Sequence, residues 1–237
     1  MEFVNESRLN TISAKYRDYY DLDGTNVTVQ AGAGDGVSAP QATAEGGVPI
    51  DMHLTGSRLS ATVIRNGFLW TCQPVGLSGT NGVYTGDATG ANVNRVGAQW
   101  LRFCVDAGNG QLAYSAHGRV YDATATTNEQ YYYFPSLMVN CAGDMVMGFS
   151  GSSATNYIGA YYTWRLSSGA TLEKPRAIQA GLVAYDFPRW GDYSATTLDP
   201  ADDWSFWTVQ EYADPAGADE GGEHPWGTVI GKLKPLP

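Results

Sequence analysis

A chain of 237 residues with 43% hydrophobic and 12% aromatic side chains can bury a sizeable core, and its length fits one domain. Acids outnumber bases 24 to 14, a net charge of −10, and no basic stripe is visible, which argues against nucleic-acid binding. The longest strongly apolar stretch, around Tyr131 to Val139, is far shorter than the roughly 20 residues of a membrane-spanning helix, so no membrane span is expected.

Met1 to Leu9 is polar and lacks the apolar segment of a secretory leader. Few lysines and abundant Tyr, Thr, Ser and Gly nevertheless suit a secreted bacterial protein, extracellular or periplasmic, whose leader is not part of this sequence. Glu6 to Tyr20 carries the one helical stripe, Leu9, Ile12, Tyr16 and Tyr20. Residues 24 to 49 are small and loop-like. Gly32-x-Gly34-x-Gly36 lacks the strand-to-helix setting of a dinucleotide fingerprint. Beyond this point the chain reads as short strands rich in Val, Thr, Tyr, Trp and Phe, split by Gly, Asn and Asp turns.

Those strands are phased. Ser60 to Cys72, Ser136 to Phe149 and Ser194 to Trp207 each hold a strand of small residues, a tight polar turn and a strand of alternating bulky residues. Further strands are predicted over Ala98–Val105, Leu112–Tyr121, Ile158–Leu166, Ala177–Tyr185 and Trp226–Leu233. Four antiparallel strands per repeat is the pattern of a β-propeller blade. The expectation is an all-β, β-propeller-type domain over 1–237, with an N-terminal segment (1–55) and blades at 56–125, 126–188 and 189–237. The last unit is one strand short, and the N-terminal segment is a candidate to close it. Three blades do not close a ring, so the chain is a four-bladed ring, a fragment of a larger one, or a partial ring completed by another copy. The last case makes it a homo-oligomer through open blade edges. A two-sheet, lectin-type sandwich is the rival and leaves the phasing unexplained.

Three cysteines, Cys72, Cys104 and Cys141, are too few for a disulfide framework, and no C-x-x-C supports zinc. A Cys72–Cys104 bridge and three reduced thiols both remain open.

Several segments resemble secreted bacterial sialidase-like β-propeller proteins. One is Phe134-Pro135-Ser136-Leu137-Met138-Val139-Asn140 with Gly143-Asp144-Met145-Val146-Met147-Gly148-Phe149-Ser150, followed by Ser153-Ala154-Thr155 and Ala160-Tyr161-Tyr162. The other is Arg189-Trp190-Gly191-Asp192-Tyr193-Ser194 with Asp199-Pro200-Ala201-Asp202-Asp203 and Phe206-Trp207, which is similar to the C-terminal blade of that group. The likeness covers roughly residues 95 to 233 and implies a propeller. It does not extend to catalysis: there is no complete Ser-x-Asp-x-Gly-x-x-x-Trp turn motif and no Phe-Arg-Ile-Pro segment.

Candidate sites follow from residue chemistry. Arg189 and Asp192 flank the entry to an innermost strand; Arg189 suits a carboxylate or sugar hydroxyls, and Trp190 offers a stacking face. The structural alternative is an Arg–Asp pair locking the last blade. With Tyr193 these are the expected ligand contacts. Asp199, Asp202 and Asp203 gather three carboxylates in one turn, suited to calcium or to capping backbone N–H groups. Asp214 to Glu223 reads as an exposed acidic loop. His53, His117 and His224 are not at ligand spacing, and His117 is either a general base or a satisfied sheet histidine. Gly148-Phe149-Ser150-Gly151 is not a nucleophile elbow. Tyr131-Tyr132-Tyr133-Phe134 and Tyr161-Tyr162 with Trp164 either pack between blades or expose rings to a sugar.

The composite expectation is a non-catalytic extracellular recognition or assembly module, with a glycan as the first ligand and no cofactor beyond calcium. A glycoside hydrolase is the enzymatic alternative and needs two carboxylates about 5 to 10 Å apart. Asp192 with Asp144 or Glu129 is the best pairing. A structural subunit that assembles by strand addition is the third reading.

Overall fold

In the computed structural model, the residues described are 38–39, 41, 47–51, 59–77, 95–105, 112–122, 128–169, 171–191, 194–218 and 224–235. The strands in chain order are β1 (Ser38–Ala39), β2 (Ile50–Asp51), β3 (Ala61–Arg65), β4 (Phe68–Leu77), β5 (Arg95–Val105), β6 (Leu112–Val120) and β7 (Tyr131–Val139). They continue with β8 (Met145–Ser153), β9 (Asn156–Arg165), β10 (Arg176–Gln179), β11 (Ala195–Leu198), β12 (Phe206–Ala213) and β13 (Trp226–Leu233). No α-helix occurs among the described residues; a 3-10 turn, Pro215–Gly217, is capped by Asp214 accepting from Ala216 N. The helix expected at Glu6 to Tyr20 lies outside the described residues.

The chain is all-β. Strands β3 to β6 form a four-stranded antiparallel sheet, β7 to β10 a second, and β11 to β13 a three-stranded third, each strand pairing with the next in sequence. Among the described residues β1 and β2 pair only with each other. Three sheets thus replace the two of the sandwich alternative, and no sheet among the described residues closes on itself. The strand expected over Ala177–Tyr185 is shorter: β10 bulges after Ala177 and ends at Gln179, and Tyr185 leaves the sheet for the core.

The second sheet is the filling. All nine residues of β8 are buried, because both of its faces are covered. Met145, Met147 and Phe149 point one way, into a core with Trp70, Cys72, Trp100, Leu137 and Val139 from the first two sheets. Gly148 and Ser150 point the other way, toward the third sheet, where a Cβ on Gly148 would overlap Gln210 and Thr208. That second interface is held by hydroxyls. Ser136 Oγ pairs with Thr196 Oγ1 at 2.8 Å and with Ser194 Oγ at 2.7 Å, and accepts from Gln210 Nε2 at 3.2 Å. Gly148 on β8 therefore permits close approach, and the first-strand hydroxyls of Ser136 and Thr196 supply polar bonds that satisfy it.

β7 shows how the tyrosine run is divided. Its ladder slips between Tyr133 and Ser136, and Phe134 takes a left-handed φ of 53°. The bulge reverses which face odd-numbered residues occupy. Tyr132 consequently shares one core with Leu137 and Val139. Tyr131, Tyr133 and Phe134 join the other, with Ile50, Val96, Ile158, Tyr185, Trp190 and Ala213.

The first turn of each repeat lies at one end of the molecule. Asn66 and Gly67, with φ of 53° and 78°, form the β3–β4 turn, the left-handed pair that a two-residue hairpin prefers. Asn66 Nδ2 donates to Asn140 O at 3.2 Å and Cys141 O at 3.3 Å in the β7–β8 turn. Cys141 N donates to Asp203 O at 3.3 Å in the β11–β12 turn, and Arg65 pairs with the Asp203 carboxylate. The three phased turns are thereby tied into one node. All three thiols are free: Cys72 and Cys104 lie on adjacent strands but out of register, opposite Trp100 and Phe68 respectively.

Candidate ligand-binding groove

The connection from β10 to β11 carries the Arg189 motif, and both its ends are anchored. Tyr185 N donates to Gln41 Oε1 at 3.0 Å, and Tyr185 O accepts from Gln41 Nε2 at 2.8 Å and Val48 N at 3.1 Å. Trp190 Nε1 donates to Ser150 Oγ at 3.0 Å, and its ring meets Tyr185 edge-on at 4.7 Å. Between these anchors Asp186 to Arg189 are exposed.

The exposed stretch borders a groove of about 260 Å³, lined by Tyr185, Phe187, Arg189, Trp190, Gly191, Glu211 and Trp226. Glu211 Oε2 accepts from Gly191 N at 3.2 Å, which fixes the carboxylate against the backbone of the motif. Phe187 and Trp226 are 41% and 46% exposed, and His224 packs edge-on against Phe187 at 4.8 Å. Trp190 differs from the expected stacking face: it is 4% exposed and its N–H is committed to Ser150, so the exposed rings are Phe187 and Trp226. Asp192 and Tyr193 lie outside the described residues. A guanidinium, a carboxylate and exposed rings around an open groove can bind hydroxyls and the apolar face of a polyol ring.

The aspartates of the β11–β12 turn are brought together but point at different donors. Asp199 accepts from Ala201 N at 3.0 Å, Trp207 Nε1 at 3.1 Å and Lys232 Nζ at 2.6 Å. The hydrogen bond from Lys232 is the main reason its pKa lies below the usual carboxylate value. Asp202 accepts from Ser205 N at 2.8 Å, Ser205 Oγ at 2.7 Å and Trp204 N at 2.9 Å, which hold its pKa at about 2. Asp203 pairs with Arg65. Among the described residues no group of three or more His, Cys, Asp or Glu is placed to hold a metal ion, and calcium binding at Asp199, Asp202 and Asp203 has no such geometry behind it.

Two of the carboxylates considered for hydrolysis sit at opposite ends of β7. Asp144 is buried and accepts from Asn140 Nδ2 at 3.1 Å and Ser167 N at 2.8 Å, while Glu129 pairs with Arg95 at 3.3 Å. His117 is half-buried against the Tyr114 hydroxyl; burial first, then the charge of Arg119, lowers its pKa. His53 lies outside the described residues. Sequence reasoning missed Phe187, Glu211 and Trp226. Trp226 had a signal, being bulky on a strand whose side chains alternate outward; Glu211 reaches the groove only through the β12–β13 pairing and had none.

The described residues form an antiparallel all-β fold of consecutive meander sheets, with an aromatic-rimmed groove between the β10–β11 connection and the third sheet. No protein-family model matches this chain, and no curated protein resembles it significantly in sequence.

Proposed function

We propose that the chain is a β-propeller-type, non-catalytic recognition module of a secreted bacterial protein, and that its groove takes a carbohydrate. Two consecutive four-stranded meanders and a three-stranded third, whose first turns converge at one end, support the propeller reading. The observation that carries the functional reading is the groove itself: Arg189 and Glu211 beside the exposed rings of Phe187 and Trp226, on a chain segment anchored by Gln41 and Ser150. A hydrolase of the sialidase type needs two converging carboxylates; Asp192, common to both pairings considered, lies outside the described residues, and Asp144 and Glu129 each serve a local structural contact. A glycan array probed with wild-type protein and with Trp226→Ala tests the proposal. Retention of specific glycans by the wild type and their loss in Trp226→Ala is the expected result; an array with no retained glycan overturns it.

One observation favours assembly as a second reading. β13 is an edge strand that presents Ile230, 64% exposed, with no fourth strand beside it among the described residues. Light scattering at two concentrations distinguishes a homo-oligomer from a 25 kDa monomer.

A further inference from the structure

A second groove lies between the second and third sheets; neither Arg189 nor Trp190 lines it, while Tyr162 and Trp164, two of the rings considered for a sugar, do. It encloses about 290 Å³ between β9 and β10 on one side and the paired ends of β12 and β13 on the other. Tyr162 and Trp164, two residues apart on β9, stack with centroids 5.7 Å apart and planes 24° apart. Phe206 and Pro235 oppose them, and Trp204 Nε1 fixes the opposite wall by donating to Pro235 O at 3.3 Å.

Two cations line this groove. Arg176 lies over the Trp164 ring at 4.8 Å, and Lys234 comes from the chain just beyond β13. Neither has a carboxylate within ion-pair distance among the described residues. The one carboxylate among the described residues that line the groove, Asp144, is buried and accepts from Asn140 and Ser167. A guanidinium stacked on an indole keeps its in-plane N–H groups directed outward, the geometry that grips a carboxylate or sulfate in two-point fashion. The chain as a whole carries a net charge of −10, so two unpaired cations in one aromatic groove run against the background.

We propose that this groove binds an acidic sugar residue, its ring against the Tyr162–Trp164 pair and its carboxylate or sulfate between Arg176 and Lys234. The ligand class rests on the carbohydrate reading above; the site does not.

The test is calorimetry with three oligosaccharides of matched length, one neutral, one a galacturonate and one a chondroitin sulfate. Wild type, Arg176→Gln, Lys234→Gln and Arg189→Gln are compared. The expected result is that at least one acidic oligosaccharide binds, about tenfold more weakly to Arg176→Gln or Lys234→Gln than to wild type. The two acidic arms distinguish a carboxylate from a sulfate ligand. The inference is overturned if neither acidic oligosaccharide binds more tightly than the neutral one. It is also overturned if acidic binding falls in Arg189→Gln and not in Arg176→Gln, a result that leaves the first groove's carbohydrate reading intact. All three substitutions are at exposed positions, and equal melting temperatures confirm that they read binding and not folding.

Discussion

The ring of Phe134 occupies the space that a side chain on Gly191 would need. Both residues have left-handed backbones, φ of 53° at Phe134 and 80° at Gly191. Two segments far apart in sequence are thus fitted to each other, the β7 bulge and the turn behind the Arg189 groove. Gly191→Ala is expected to destabilise the protein by about 2 kcal/mol or more, from the strained φ and the overlap together. Phe134→Ala costs about 3–5 kcal/mol by leaving a cavity. The double variant should cost less than the sum, since the alanine methyl fills vacated space; additive urea-denaturation energies would contradict the contact.

The hydroxyl interface between the second and third sheets gives a second expectation. Gln210 is fully buried and bonds Ser136, Ser194 and Thr208. Gln210→Leu removes the amide's bonds from this buried network and leaves Ser136, Ser194 and Thr208 with fewer partners, at about 1–3 kcal/mol, despite its similar size and greater apolarity. A Leu variant as stable as wild type would show that the network contributes nothing net.

Acid stability follows from the β11–β12 turn. Asp202 has a folded pKa of about 2 against an ordinary 3.8, so it favours the folded state above pH 3.8. That contribution is lost as pH falls through 3.8 toward 2. Asp202→Ala should flatten the acid limb of the stability–pH profile in this window. An unchanged limb would mean that other carboxylates govern it.

Thiol reactivity separates the cysteines. Cys72 is buried, its thiol donates to Pro135 O at 3.3 Å, and burial raises its pKa far above the thiol range. Cys141 is exposed at the turn node. Under native conditions an alkylating reagent should label Cys141 and spare Cys72 until the protein unfolds. Early modification of Cys72 would contradict the packing of the first two sheets.

What the sequence made legible was local. Asn66-Gly67 is a hairpin turn on any reading, and the phased small-residue strands placed β3, β7 and β11 correctly along the chain. What it concealed depends on long-range pairing. Period-two alternation assigns Tyr132 and Leu137 to opposite faces, and only the bulge at Phe134 reunites them in one core. Trp190 reads as an exposed ring because its neighbours are polar, yet Ser150, forty residues earlier, accepts its N–H and buries it. Glu211 and Trp226 meet Arg189 through the β12–β13 register, which no local pattern announces.

The central claim is that the Arg189 groove recognises a sugar and leaves it intact. The direct test is isothermal titration of the array-retained glycan into wild type and Arg189→Gln, with the recovered glycan analysed by mass spectrometry. The account predicts saturable binding, about tenfold weaker in Arg189→Gln, and an unaltered glycan mass. Equal affinity in the two proteins, or a hydrolysed glycan, would contradict it.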